Sequence, residues 1–132
     1  MENQIFMIID DDQDDRFFFK EALAEILSSA VCLEAKDGVE ALEQLRKAEP
    51  LPDFIFLDVN MPRMDGHECL KELKKDAKLK DIMVIMYSTS FSDQSINEFL
   101  RLGASSCLNK TSNLSKLPGQ ILAAIRGSIK LS

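Results

Sequence analysis

Long apolar runs are missing from this sequence. None approaches the ~18 residues of a membrane-spanning helix, so no segment is expected to enter a bilayer. A basic excess is missing too. The chain carries 16 lysines and arginines against 22 aspartates and glutamates, a net charge of −6. Such a surface has no electrostatic footprint for nucleic acid or anionic membrane, and suits a cation or a basic protein face instead. Cysteine is sparse: Cys32, Cys69 and Cys107 are odd in number and irregularly spaced, which excludes a disulfide framework and a zinc site. They read as small buried apolar residues in a reducing cytoplasm. A single histidine, His67, reads as surface, and no Ser-His-Asp or Cys-His set can be built on it. The start, Met1-Glu-Asn-Gln, has neither the basic residues nor the apolar core of a secretion signal. Repeats, low-complexity stretches and linkers are also lacking. At 132 residues the chain reads as one domain over 1–132, with a core from about 4 to 130 and no room for an output module. Hydrophobic and charged fractions of 45% and 29% exclude wholesale disorder.

What is present is an alternation of short apolar runs and amphipathic segments. Ile5-Phe-Met-Ile-Ile9 is continuous and apolar and stops at Asp10-Asp11-Asp12. Runs of this kind are strands buried on both faces, as in parallel sheets. A helix is expected over about Gln13 to Ser28, with Asp14 and Asp15 in its first turn and Phe18, Phe19, Ala22, Leu23, Ile26 and Leu27 as its apolar stripe. Val31–Leu33 is a weaker strand. Val39, Leu42 and Leu45 mark a helix to about Ala48, which Pro50-Leu-Pro52 ends. Phe54–Leu57 is a third strand, ending at Asp58. A loop follows, then a helix from about Gly66 to Asp76. Ile82–Met86 leads into Tyr87-Ser-Thr-Ser90. A helix around Ile96–Leu102 stops at Gly103. Ser105–Leu108 leads to Asn109-Lys110, and a last helix spans roughly Leu117 to Ile129, with Pro118 in its first turn. Five β-α units predict a parallel sheet with helices on both faces.

In such a sheet ligands bind just beyond the carboxyl ends of the strands. The chain places Asp10, Asp11 and Asp12 there from the first strand, Asp58 from the third, Ser88 from the fourth and Lys110 from the fifth. Carboxylates crowded together repel one another, and a hard divalent cation such as Mg²⁺ resolves the conflict. Lys110 adds a mobile positive charge and Ser88 a hydroxyl. Cation, ammonium and hydroxyl around one carboxylate suit phosphoryl transfer, with Asp58 as candidate nucleophile. Asp12 reads as a helix N-cap, and Asp14 and Asp15 as solvated charges of the helix start.

These residues resemble the receiver domain of two-component response regulators, of the stand-alone, chemotaxis-regulator-like kind. The resemblance is carried by the apolar run into Asp10-Asp11, by Phe56-Leu-Asp-Val-Asn-Met-Pro-Arg-Met-Asp-Gly66, by Ser88 at its spacing from Asp58, and by Gly103-Ala104 followed by Lys110. It implies a flavodoxin-like sheet in the order 2-1-3-4-5. It implies that Asp58 accepts a phosphoryl group from a histidine kinase or phosphotransfer protein. Mg²⁺ would be held by Asp10, Asp11, Asp58 and the backbone carbonyl of Asn60. Ser88 and Lys110 would meet the phosphoryl group, and Asn60 and Ser90 would tune its hydrolysis. The domain would then be a cytoplasmic phosphorelay switch acting on an unknown downstream protein, catalysing only its own phosphorylation and dephosphorylation. Two departures concern the output. Thr111 stands where the family lysine is usually followed by a cis proline, so a trans bond or visible strain is expected. Cys107 stands at the usual aromatic switch position, with Tyr87 as candidate substitute. Phe17, on the polar side of its helix, marks a contact surface where similar receivers dock kinase-side domains. The alternatives are a non-phosphorylated receiver-like scaffold, or an aspartyl phosphatase or flavin carrier on a related fold.

Overall fold

Continuous apolar strands need cover on both faces, and the computed structural model, which describes residues 4–128, supplies it. Strands β1 (Ile5–Ile9), β2 (Val31–Ala35), β3 (Phe54–Asp58), β4 (Met83–Ser88) and β5 (Ser106–Asn109) form one parallel sheet in the order β2-β1-β3-β4-β5. Helices α1 (Gln13–Ile26), α2 (Gly38–Lys47), α3 (Gly66–Lys75), α4 (Asp93–Arg101) and α5 (Leu117–Ser128) alternate with them, and a short 3-10 turn, Leu114–Lys116, precedes α5. The parallel sheet with helices on both faces is the arrangement expected from the element order, and the strand order is the flavodoxin-like one that the family resemblance implies.

Successive strand residues point to opposite faces, so the sheet divides the core in two. Met7, Ile9, Ile55, Leu57, Val84 and Met86 pack against Leu42, Leu45, Leu70, Leu73 and Phe99 of α2, α3 and α4. Phe6, Ile8, Phe54, Phe56, Ile85 and Tyr87 pack against Phe19, Leu23, Ile121 and Ile125 of α1 and α5. Phe56 is fully buried, its ring centroid 4.7 Å from Phe19.

Helix starts are fixed by acidic caps. Asp12 accepts the N–H groups of Asp14 and Asp15, Asp37 that of Glu40, and Asp65 that of Glu68. After α4, Gly103 adopts φ +110°, and the bonds from Gly103 N to Leu100 O and from Ala104 N to Phe99 O close the helix as a Schellman motif.

Several expectations shift. Phe18 is exposed rather than part of the α1 stripe; the 3.6-residue turn carries it to the stripe's edge, where its ring meets Phe17 edge-on. His67 is half-buried rather than free surface. Its Nε2 lies 2.9 Å from Glu98 Oε1 and its ring edges against Phe99, linking α3 to α4. Only Cys69 is fully buried among the free cysteines; Cys32 and Cys107 are half-buried. The outer parts of the expected domain span, 1–3 and 129–132, and Ile129 of the expected last helix lie outside the described residues.

Candidate functional site

The strand order brings the carboxyl ends of β1, β3, β4 and β5 side by side, and the chemistry-bearing residues meet there. Asp10 follows β1, Asp58 ends β3, Ser88 ends β4 and Lys110 follows β5. They line a cleft of about 230 Å³ together with Asp11, Asp15 and Asn60. Asp10 is fully buried, and Asp58 and Ser88 nearly so. Asn60 is exposed within the lining, whereas Ser90, also exposed, lies two residues beyond Ser88 and does not line the cleft. A larger apolar hollow of about 550 Å³ lies at the opposite ends of the strands, among Leu51, Pro52, Phe54 and Ile82. Two of its polar groups are engaged with backbone: Asp53 accepts Ile5 N–H and Lys78 donates to Arg46 O. The smaller cleft is the one that gathers the carboxylates, the ammonium and the hydroxyl.

Lys110 organises the cleft. Its Nζ lies 2.8 Å from Asp10 Oδ2, 3.0 Å from Asp15 Oδ2 and 3.4 Å from Asp58 Oδ1, and 5.3 Å from the centre of the Tyr87 ring. Its backbone N–H donates to Ser88 O at 2.6 Å, which fixes the stem of the side chain against β4. Burial lowers the Lys110 pKa, but contact with the Asp10 and Asp15 carboxylates outweighs it and raises the group above its ordinary value. The ammonium is thus a permanent charge.

The carboxylates respond in the opposite sense. Burial, then the neighbouring Asp10 charge, pushes Asp58 up to about 7, against the pull of Lys110; a hydrogen bond with Asp11 raises it further and the Asn60 backbone N–H opposes. Asp10 is also raised, chiefly by burial. Asp10 Oδ1 accepts Asp12 N–H at 3.0 Å, while Oδ2 is buried and makes no hydrogen bond. Oxygens of Asp10, Asp11 and Asp58 lie within 4.8 Å of one another. Three hard carboxylate donors gathered this closely, with one ammonium shared among their neighbours, fit a divalent cation of the Mg²⁺ kind. These three residues could hold one.

The surrounding loops are held by specific contacts. A Cβ on Gly66 would lie 2.3 Å from the Asp58 carbonyl oxygen, so only glycine lets the loop after β3 fold back onto the strand end. Asp37, besides capping α2, accepts Arg63 Nη2 at 2.7 Å, and Arg63 sits at φ +65° in that same loop. Burial raises the Asp37 carboxyl, but Glu40 N–H and the Arg63 guanidinium together hold it below its ordinary value. Arg16 donates to the Asp10 carbonyl at 2.8 Å and to Glu34 at 2.9 Å, tying β1, α1 and β2 together.

Ser88 Oγ donates to Ser90 O over 3.3 Å, a long bond. Among the described residues the one cis peptide is Glu49–Pro50, so Lys110–Thr111 is trans. Tyr87 and Cys107 occupy opposite faces of the sheet. Tyr87 pairs in register with Leu108 and packs on Phe19 and Phe56, whereas Cys107 pairs with Met86 and faces the other core. Tyr87 therefore does not fill the space beside Cys107. Asp15 departs from the solvated role expected of it: it is a partner of Lys110. Its signal in the sequence was one helical turn of separation from Asp11, which the acidic run of the helix start obscured.

Fold and cleft together define a class: a doubly wound parallel domain with an acidic, lysine-bearing cleft at its strand ends. The sequence model of the response regulator receiver domain matches residues 6–122, and the chain belongs to that family. It is 34% identical over 127 residues to a protein-glutamate methylesterase/protein-glutamine glutaminase of Pyrococcus horikoshii, covering 89% of this chain and 34% of that protein. The chain spans about a third of the length of the methylesterase relatives it matches. Among solved structures, the phosphorylated cyanobacterial phytochrome response regulator RcpA is similar at 33% identity and a TM-score of 0.83, over 94% of this chain and 91% of that one. The chemotaxis protein CheY4 of Vibrio cholerae is similar at 28% identity and a TM-score of 0.83, over 96% and 99%.

Proposed function

We propose that this chain is a phosphorylation-controlled interaction switch of the cytoplasm, in which Asp58 accepts a phosphoryl group from a phosphohistidine of a histidine kinase or phosphotransfer protein. The observation that carries this reading is the setting of Asp58. A nearly buried carboxylate at a strand end shares its cleft with a charged ammonium, two further carboxylates and the equally buried Ser88 hydroxyl. An Asp58 oxygen attacks phosphorus, an O–P bond forms, the donor's P–N bond breaks, and the histidine nitrogen leaves with the bonding pair and takes up a proton. Asp10, Asp11, Asp58 and the backbone carbonyl of Asn60 would hold Mg²⁺, which supplies positive charge against the transferring oxygens. Lys110 then neutralises one phosphoryl oxygen, and Ser88 gives up its long bond to Ser90 O to meet another. That shift moves the ends of β4 and β5, and a downstream protein reads the change. Residues 1–132 act as one signalling unit, in which Asn60 in the cleft and Ser90 beyond Ser88 tune hydrolysis of the acyl phosphate.

The scaffold alternative gives Asp10, Asp11, Asp58, Ser88 and Lys110 no reason to share one cleft. Labelled phosphoramidate, whose P–N bond resembles that of phosphohistidine, tests the proposal. Mg²⁺-dependent label that hydroxylamine releases and Asp58→Asn abolishes is expected. Label that persists in Asp58→Asn would overturn the assignment.

A further inference from the structure

One contact at the cleft has no part in this mechanism. Asp15, in the first turn of α1, accepts a hydrogen bond from Lys110 Nζ at 3.0 Å. Asp10 Oδ2 is nearer the ammonium, at 2.8 Å. Asp58 Oδ1 is farthest, at 3.4 Å. Three carboxylates share one ammonium, and one of its two near partners, Asp15, lies outside the phosphoacceptor chemistry. The pair is also sheltered on one side only: the Lys110 side chain is 13% exposed and that of Asp15 36%. Asp15 is therefore the partner that water can most readily replace.

We infer that Asp15 is a positioning residue that holds Lys110 toward α1 in the resting site and must release it when a phosphoryl group occupies Asp58. The inference rests on the phosphoacceptor reading and adds a brake to it. The ammonium does not gain an anionic partner on phosphorylation; it exchanges one for another. Asp15 also sets a fixed negative charge beside the path of the incoming anion. Both effects oppose occupancy of Asp58 by a phosphoryl group and favour the resting state.

Beryllofluoride, which forms a phosphoryl-like adduct on aspartate, measures this without turnover. The chain has one tyrosine and no tryptophan, and Lys110 lies over that tyrosine ring, so Tyr87 fluorescence reports the ammonium's movement. At saturating Mg²⁺, Asp15→Asn is expected to bind beryllofluoride about two- to fivefold tighter than the native protein, the scale of a partly exposed ion pair. Asp15→Glu, which restores the charge, is expected to return toward native affinity. Asp15→Ser guards against a folding defect peculiar to asparagine and should show the same gain. A charge that only supports the helix start would give loss, not gain, when removed. Equal or weaker binding by both Asp15→Asn and Asp15→Ser would overturn the inference. Failure of the native protein to bind would overturn the phosphoacceptor reading itself, and this role with it.

Discussion

Asp58 shows how one residue's setting becomes a measurable property. Its folded pKa of about 7 lies above the ordinary 3.8. Between those values the folded chain holds a proton that the unfolded chain has lost. Stability therefore falls as pH rises from about 4 to about 7, and stays low above it. In Mg²⁺-free buffer at pH 8, Asp58→Asn is expected to be more stable than the native protein by on the order of 2–4 kcal/mol. At pH 4 the gain should vanish. Denaturant unfolding at the two pH values measures this, and an equal difference at both would show that burial does not strain the carboxylate. That Asp10, Asp11, Asp58, Ser88 and Lys110 meet in one cleft was legible in the sequence, from apolar runs that stop at acid and from the spacing of Ser88 and Lys110 along the chain. Asp15 and Glu34 were not. A helix-start acid and a strand-end glutamate look solvated until folding sets Lys110 beside one and Arg16 and Lys20 beside the other.

At the scale of elements, the loop between β3 and α3 carries the finest tolerance. Gly66 packs against the backbone of Asp58 and Val59, and its N–H bonds Val59 O at 2.8 Å. Gly66→Ala forces the loop away from the strand end. It is expected to lower stability by about 1–3 kcal/mol, the cost of overpacking, and to weaken Mg²⁺ binding in the same protein, read by calorimetric titration. Native Mg²⁺ affinity in this variant would show that the loop does not shape the cleft. Phe56→Ala, by contrast, empties a fully buried site between the α1 and α5 helices and the sheet. A loss of about 3–5 kcal/mol is expected in chemical denaturation. The strands themselves were legible because they are apolar on both faces; the runs expected at 5–9, 31–33 and 54–57 fall within β1, β2 and β3, while those at 82–86 and 105–108 each start one residue before β4 and β5. Their ends were less so. β2 runs on to Ala35 because its pairing with β1 continues through Glu34, whose charge interrupts the apolar run.

For the molecule as a whole, the parallel sheet follows from the alternation of elements, its order β2-β1-β3-β4-β5 is the one the family resemblance implies, and that order puts the cleft at one end of the domain. α1 carries Asp15 on its cleft side and two exposed rings, Phe17 and Phe18, beyond it. Phe17 is 53% exposed, so its loss should leave stability unchanged. Phe17→Ser is expected to slow phosphotransfer from the cognate kinase while leaving uptake from a small donor intact; an unchanged kinase rate would remove α1 from the docking surface. The output side was the least legible. Tyr87 and Cys107 sit on adjacent strands, yet the one-residue alternation sends them to opposite cores, a distinction that their separation along the chain hides.

The switch depends on Asp58 being the phosphoacceptor. Intact-mass spectrometry after incubation with acetyl phosphate and Mg²⁺ tests it most directly, beside samples that omit Mg²⁺ or carry Asp58→Asn. A single phosphoryl adduct that needs Mg²⁺ and disappears in the variant is the predicted result. An adduct of the same size and abundance on Asp58→Asn would contradict it.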